Sequence, residues 1–259
     1  MSAMANERLT GRRILHAARW GWQCANALLV SEAAGDEAAN AVGWRTDEEG
    51  EYCRRCGGST GEGEATDSGC AQCRGEDVAW DGVWRLGSYD GALAQWIVAM
   101  KFGYAWAWGP WFGKQLAERI AGEREKENQS VVTYVPLHWR RRLTRGFDQS
   151  RLIAAATAKE SGLPLARLLR RRRATRQQSL VRAKADRVAN VRQAFAAADV
   201  DLTGWTVWLV DDVTTTGATA GQCAKLLRGA GAKAVYLAVA AVTDVGQSRG
   251  RRAGSIEGH

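Results

Sequence analysis

Residues 206–222 read TVWLVDDVTTTGATAGQ, and no other stretch of the chain restricts its fold as tightly. An apolar strand, Val207 to Val210, ends in two carboxylates, Asp211 and Asp212. In an open α/β sheet a ligand site lies beyond the carboxyl ends of the strands. Two acidic groups there can accept hydrogen bonds from a vicinal diol or help hold a hydrated Mg²⁺. The turn that follows, Thr214 to Thr219, leads straight into a helix. Its successive backbone amides, backed by the helix N-terminus, form an anion cradle that runs through Ala218. Thr215, Thr216 and Thr219 add hydroxyl donors, and Gly217 lets the backbone approach a ligand with no Cβ in the way. Acceptors for a sugar diol beside a nest for a phosphate describe a ribose 5-phosphate site. The plainer reading is a strand, an Asp-rich turn and a Thr N-cap with no ligand. Any three of these residues would fit that reading; the whole run is far more specific.

The rest of the chain supplies a matching frame. SVVTYVP (130–136) is a β-branched run ended by proline, and DQSRLIAAATAKESG reads as a helix closed at Gly162. ATAGQCAKLLRGAG is a helix before the buried strand AVYLAVAAV, and GALAQWIVAMKF spaces Leu93, Trp96, Ile97 and Met100 along one helical face. Strands alternating with helices predict a parallel sheet with helices on its faces. With 46% hydrophobic residues in 259, the chain can bury a full core. No stretch approaches 18 uninterrupted apolar residues, and the first 29 lack a sustained apolar core, so neither a membrane span nor a signal peptide is expected. Residues 1–47 stay unassigned, with an acidic, Ala-rich part that reads as solvated. Residues 80–245 form the α/β domain, and 246–259 read as a disordered tail.

Residues 48–79 are too poor in apolar side chains for a core of their own and need a staple. Cys53-Arg-Arg-Cys56-Gly57 and Cys70-Ala-Gln-Cys73 enclose 13 residues. Each C-x-x-C turn aims two thiolates at one point, and two such turns give tetrahedral S₄ coordination, so structural zinc in a ribbon is favoured over an iron–sulfur cluster or a disulfide pair. Paired thiols in an otherwise ordinary composition point to a reducing, cytoplasmic setting. Cys24 and Cys223 read as ordinary buried thiols.

The net charge of +8 is regional: residues 138–192 hold 16 basic and 3 acidic side chains. Arg140, Arg141, Arg142 and Arg145 form one block, and Arg171, Arg172 and Arg173 belong to another. A charge run is usually a solvated face. These blocks flank the proposed phosphate site, however, and arginine suits bidentate phosphate contacts, so a polyanion role is weighed above the solvated face. Single-stranded DNA is one candidate, with Trp139 a possible stacking platform. For any individual tryptophan among the twelve, core packing is favoured.

The run from Asp211 to Thr219 resembles the 5-phosphoribosyl-1-pyrophosphate (PRPP) signature of type I phosphoribosyltransferases. That resemblance implies a Rossmann-like core, PRPP held with Mg²⁺, and a pyrophosphate loop at Leu137, His138, Trp139 and Arg140. Several enzymes of that class place an aspartate base where this chain has Thr215, so no catalytic base is identified. A narrower pattern is present as well. Pro136-Leu137, Arg145-Gly146-Phe147-Asp148-Gln149, Thr175, Gln178, Arg187, Asn190 and Ala194-Phe195 resemble the ComF/GntX family, as does YDGALAQWIVAMKF. This implies a zinc ribbon joined to a phosphoribosyltransferase-fold domain that acts in natural transformation, on incoming single-stranded DNA. Rival readings are an active phosphoribosyltransferase of nucleotide metabolism or salvage, and a non-catalytic adaptor for a DNA-uptake helicase. The chain departs from the family pattern in two places: Asp148 stands where asparagine is usual, and an additional N-terminal cysteine pair is missing.

Overall fold

A computed structural model describes residues 32–61, 64, 68–102, 105–124, 129–137, 146–171 and 194–244. In chain order the elements are α1 (Glu32–Ala41), β1 (Gly82–Ser88), α2 (Gly91–Phe102), α3 (Trp108–Arg124), β2 (Ser130–Tyr134), α4 (Gln149–Ser161), β3 (Leu169–Arg171), β4 (Phe195–Ala197), β5 (Thr206–Thr214), α5 (Ala218–Gly229) and β6 (Ala234–Val242). The strands β1, β6, β5 and β2 lie side by side in that order, every pairing parallel, which is the sheet expected from the alternation. At the outer edge of β2, Leu165 forms a further parallel bridge to Val132.

Both faces of this sheet are covered, which is why β5 and β6 read as near-continuous apolar runs. The period of two assigns the faces. Val131, Val207, Leu209, Val235 and Leu237 meet Ala220, Cys223, Ala224 and Leu227 of α5. Val132, Trp208, Val210 and Ala238 meet the opposite layer of α2, α3 and α4 through Ile97, Met100, Phe112 and Ile153. Gly113 brings α3 and α4 together, because a Cβ there would lie 2.4 Å from Ala156 Cβ. Tryptophans fill this second layer as the sequence suggested. Trp208 and Trp111 are fully buried, and the rings of Trp84 and Trp208 meet edge-on at 5.1 Å.

Four elements were not foreseen: α1, β1 and the short antiparallel pair of β3 and β4. The acidic, Ala-rich stretch expected to be solvated is α1, docked on α3: Trp111 Nε1 donates to Asp36 Oδ1 at 2.8 Å, and Ala39 is buried. The edge strand β1 carries an arginine where an apolar residue would be expected, which hid its period. Arg85 is buried, and its partners lie far off in sequence.

Candidate phosphate site and cysteine cluster

The strand β5 runs past the two aspartates to Thr214, with Asp211 opposite Val239 and Thr214 opposite Val242 of β6. The carboxylates therefore sit on the last turn of a fixed strand rather than in a loop. Ser150 Oγ, at the start of α4, donates to Asp211 Oδ1 at 2.8 Å, and the amide of Asp212 donates to the same oxygen at 2.9 Å. Lys101, in the last turn of α2, places Nζ 3.1 Å from Asp212 Oδ2. Burial, followed by the charge of neighbouring Asp212, pushes the Asp211 carboxyl up to about 8. Asp211 thus holds a proton near neutrality until something favours its charged form.

Beyond Thr214 the chain turns at Gly217, whose φ of 70° is the left-handed conformation that glycine adopts without strain. Gly217 is the N-cap of α5 with no side-chain cap bond, so the Thr N-cap of the plainer reading is not formed. Thr215 and Thr216 are exposed. Thr214 is buried, and its hydroxyl has no hydrogen-bond partner among the described residues. An uncapped helix start behind an exposed hydroxyl turn leaves amide donors for an anion.

The strand β2 ends beside β5, where Val135 N donates to Val210 O at 2.9 Å, so Leu137 emerges next to the aspartates. Asp148, in place of the usual asparagine, uses both oxygens. Oδ1 accepts from Arg151 N at 3.3 Å as the N-cap of α4, and Oδ2 accepts from Leu137 N at 3.1 Å. It ties the start of the loop after β2 to the start of α4. His138, Trp139, Arg140, Arg141, Arg142 and Arg145 lie outside the described residues, as do Arg172, Arg173, Thr175, Gln178, Arg187, Asn190 and Cys24. Arg171 closes β3, with its guanidinium 5.0 Å from the centre of the Phe195 ring on β4. Cys223 is a buried thiol of α5, as expected.

The four cysteines of the two pairs converge, with sulfurs all within 4.8 Å of one another. Cys53 Sγ and Cys73 Sγ are 3.8 Å apart, and Cys56 Sγ and Cys70 Sγ 3.7 Å. Gly69, at a φ of 98°, leaves room for Cys73 Sγ, which a Cβ would approach to 2.5 Å. Burial opposes ionisation of Cys53, yet amide donors from Cys56, Arg55 and Cys70 bring its thiol down to about 7; burial raises Cys56 and Cys73. Four convergent sulfurs fit a tetrahedral thiolate-bound ion. With every position taken by the protein, such a site leaves none for a substrate.

The cluster is bound to the sheet by residues the sequence reading missed. Arg85 donates to Asp47 Oδ2 at 2.7 Å, Gly57 O at 2.7 Å and Ser59 Oγ at 2.8 Å, and lies 3.8 Å from Asp244 Oδ1. Asp244 in turn accepts from the amide and hydroxyl of Ser59, each at 2.7 Å. The only sequence signal was an arginine inside an otherwise apolar run. Lys101 and Ser150 gave none, since their partners stand 111 and 61 residues away.

A parallel sheet with an acidic pair and a glycine turn after its penultimate strand is the arrangement that the resemblance to type I phosphoribosyltransferases implies. The chain is similar to proteins named for competence and DNA utilization. It is 28% identical to competence protein F of Haemophilus influenzae over 196 residues, covering 72% of this chain and 82% of that protein. It is also 28% identical to the DNA utilization protein YhgH of Escherichia coli over 180 residues, 65% of this chain and 75% of that one. An amidophosphoribosyltransferase of Pseudomonas aeruginosa is 31% identical over 129 residues; these are 50% of this chain and only 24% of the enzyme. No family model matches the chain. Among solved structures, the allosteric regulatory enzyme of purine biosynthesis superposes with a TM-score of 0.32 at 23% identity, covering 49% of this chain and 25% of that one. TT1426 of Thermus thermophilus gives 0.32 at 19% identity, over 53% of this chain and 82% of that one. At those scores the superpositions add nothing to the sequence relationship.

Proposed function

We propose that the chain binds a phosphoribosyl ligand, PRPP with Mg²⁺, at Asp211–Thr219, and that it acts in natural transformation on incoming single-stranded DNA. The observation that carries the ligand reading is the juxtaposition at the end of β5: Asp211 and Asp212 on the strand, and the uncapped Gly217 turn directly after. The ribose hydroxyls donate to the carboxylates, and the turn's amides with Thr215, Thr216 and Thr219 donate to the 5-phosphate. When bound, Mg²⁺ supplies charge neutralisation at the pyrophosphate, and the acidic pair offers it the hard oxygen donors it prefers. Leu137, His138, Trp139 and Arg140 serve the pyrophosphate. The four cysteines hold a structural zinc in a ribbon spanning 48–79, and residues 80–245 form the ligand domain.

The DNA role rests on the relatives named for competence and DNA utilization, together with the arginine blocks. In a single-stranded DNA titration, log affinity should fall by about 0.7 per log unit of salt for each phosphate neutralised. Replacing Arg171, Arg172 and Arg173 by glutamine should lower both affinity and slope while PRPP binding persists. If this variant loses PRPP and keeps DNA, the arginines serve the pyrophosphate instead. If it keeps both, the run is a solvated face. A second reading, an active transferase, draws on the likeness to the amidophosphoribosyltransferase. Pyrophosphate release across a panel of acceptors tests it.

A further inference from the structure

One side chain touches both the cysteine cluster and the anion turn. Trp80 Nε1 donates to the carbonyl of Arg55 at 2.9 Å, and Arg55 lies between the ligand-bearing Cys53 and Cys56. At the other end of the indole, a Cβ on Gly217 would lie 2.7 Å from Trp80 Cη2, and one on Gly221, a turn further on, 3.7 Å from Cζ3. The ring therefore rests on the α-carbon of the residue whose left-handed backbone sets the direction of the turn.

The cluster end of this contact is rigidly tied. The Arg55 guanidinium donates to Cys73 O at 2.6 Å and to Glu76 O at 2.6 Å, so it spans both cysteine pairs. Its neighbours are fixed too: Val83 N donates to Arg54 O at 2.7 Å, and Arg85 donates to Gly57 O. The carbonyls of residues 54, 55 and 57 thus all accept from residues 80–85. Any change in the Cys53–Cys56 turn reaches Trp80 through its Arg55 bond. Gly217 has no side chain with which to accommodate a displaced ring.

We infer that Trp80 is a positioning residue which holds the Gly217 turn in its ligand-ready form, and that a metal on the four cysteines sets the position of Trp80. Metal loading and phosphate binding are then coupled, and the coupling is reciprocal. The inference rests on the phosphate assignment of Thr214–Thr219 and on the cysteines as a metal site.

The test has two arms on the full chain. In the first, hydrogen exchange of the amides of residues 214–219 is compared between zinc-loaded and chelator-treated protein. Exchange should speed up by about 5-fold or more on removal of the metal, the lower end of typical site-to-site coupling, with β5 and β6 amides unchanged. Trp80→Phe keeps an apolar ring but loses the donor to Arg55; its turn should exchange at one rate, loaded or stripped. In the second arm, ribose 5-phosphate should slow zinc release to a chelator in the native chain and leave release from Trp80→Phe unaffected. A turn whose exchange ignores the metal in the native chain overturns the coupling. So does a turn that still responds in Trp80→Phe. If the turn responds to metal but ribose 5-phosphate has no effect on zinc release and does not bind, the coupling stands and the phosphoribosyl assignment falls.

Discussion

The Gly217 turn and the cysteine cluster both touch Trp80, yet different physics holds each in place. The turn grows out of β5, whose ladder to β6 is continuous from Thr206 to Thr214 and whose side chains are packed on both faces. The cluster has no such support. Its buried side chains are three cysteines with Tyr52, and its attachment to the sheet runs through polar bonds: the Arg85 guanidinium, the Trp80 indole, the Val83–Arg54 backbone bond and the Ser59–Asp244 pair. A region held by a core tolerates the loss of one polar contact. A region held by a few buried polar bonds does not, because each lost donor strands several acceptors.

Arg85 gives this contrast its largest expected effect. Replacing Arg85 by methionine removes the donor to Asp47, Gly57 O and Ser59 Oγ and the cation beside Asp244. Breaking a buried ion pair from one side costs about 3–5 kcal/mol, to be read from denaturant unfolding. Protease should then cut within 48–79 before the sheet unfolds. A variant that unfolds like the native chain would put the attachment elsewhere.

Gly217→Ala should come next, at about 1–3 kcal/mol, because alanine takes a backbone conformation it rarely adopts and meets Trp80 at 2.7 Å. Combining it with Trp80→Phe should recover the clash and not the backbone strain. Full recovery would mean that the turn itself is unstrained.

Asp148→Asn separates the two ends of the site at a smaller scale. The carboxylate accepts from Leu137 N and Arg151 N on different oxygens, whereas an amide has one oxygen. A loss of about 0.5–1.5 kcal/mol is expected, for one hydrogen bond. No loss would mean that the loop after β2 is held without Asp148.

A pH dependence is expected as well. Asp211 keeps its proton in the folded chain up to about 8, while an unfolded aspartate loses it near the ordinary value of about 4. The folded state binds the extra proton between those values, so stability falls as pH rises from about 4 to about 8. Asp211→Asn should flatten that part of the stability profile. An unchanged profile would show that Asp211 is ionised throughout.

The same contrast explains what was legible in the sequence. Three strands of the sheet, the face of α2, the helix α4 and the strand–DD–turn–helix run follow from periodicity and short-range chemistry, and the structure has them where the pattern put them. The two C-x-x-C pairs converge because each pair is a local turn. What stayed hidden depends on distance. β1 was obscured by Arg85, a charge whose four polar partners lie between 26 and 159 residues away, beyond any local window. Trp80 was one tryptophan of twelve, and its position between Arg55 and Gly217 exists only in the folded chain. α1 was missed because it docks on α3 through small and polar residues: Ala39, Gly35 against the Trp111 ring, and Asp36 with Trp111 and Lys114.

The most direct test of the ligand site is calorimetry with PRPP and Mg²⁺ on the native chain and on the double variant Asp211→Ala, Asp212→Ala. The native chain should bind about one PRPP. The variant loses two or more ribose hydrogen bonds, each worth roughly 0.5–1.5 kcal/mol to a neutral acceptor and roughly 1.5–3 kcal/mol to a charged one, so its affinity should fall at least tenfold with the fold intact. A folded double variant that binds PRPP as tightly as the native chain, or a native chain that does not bind it, would contradict the assignment.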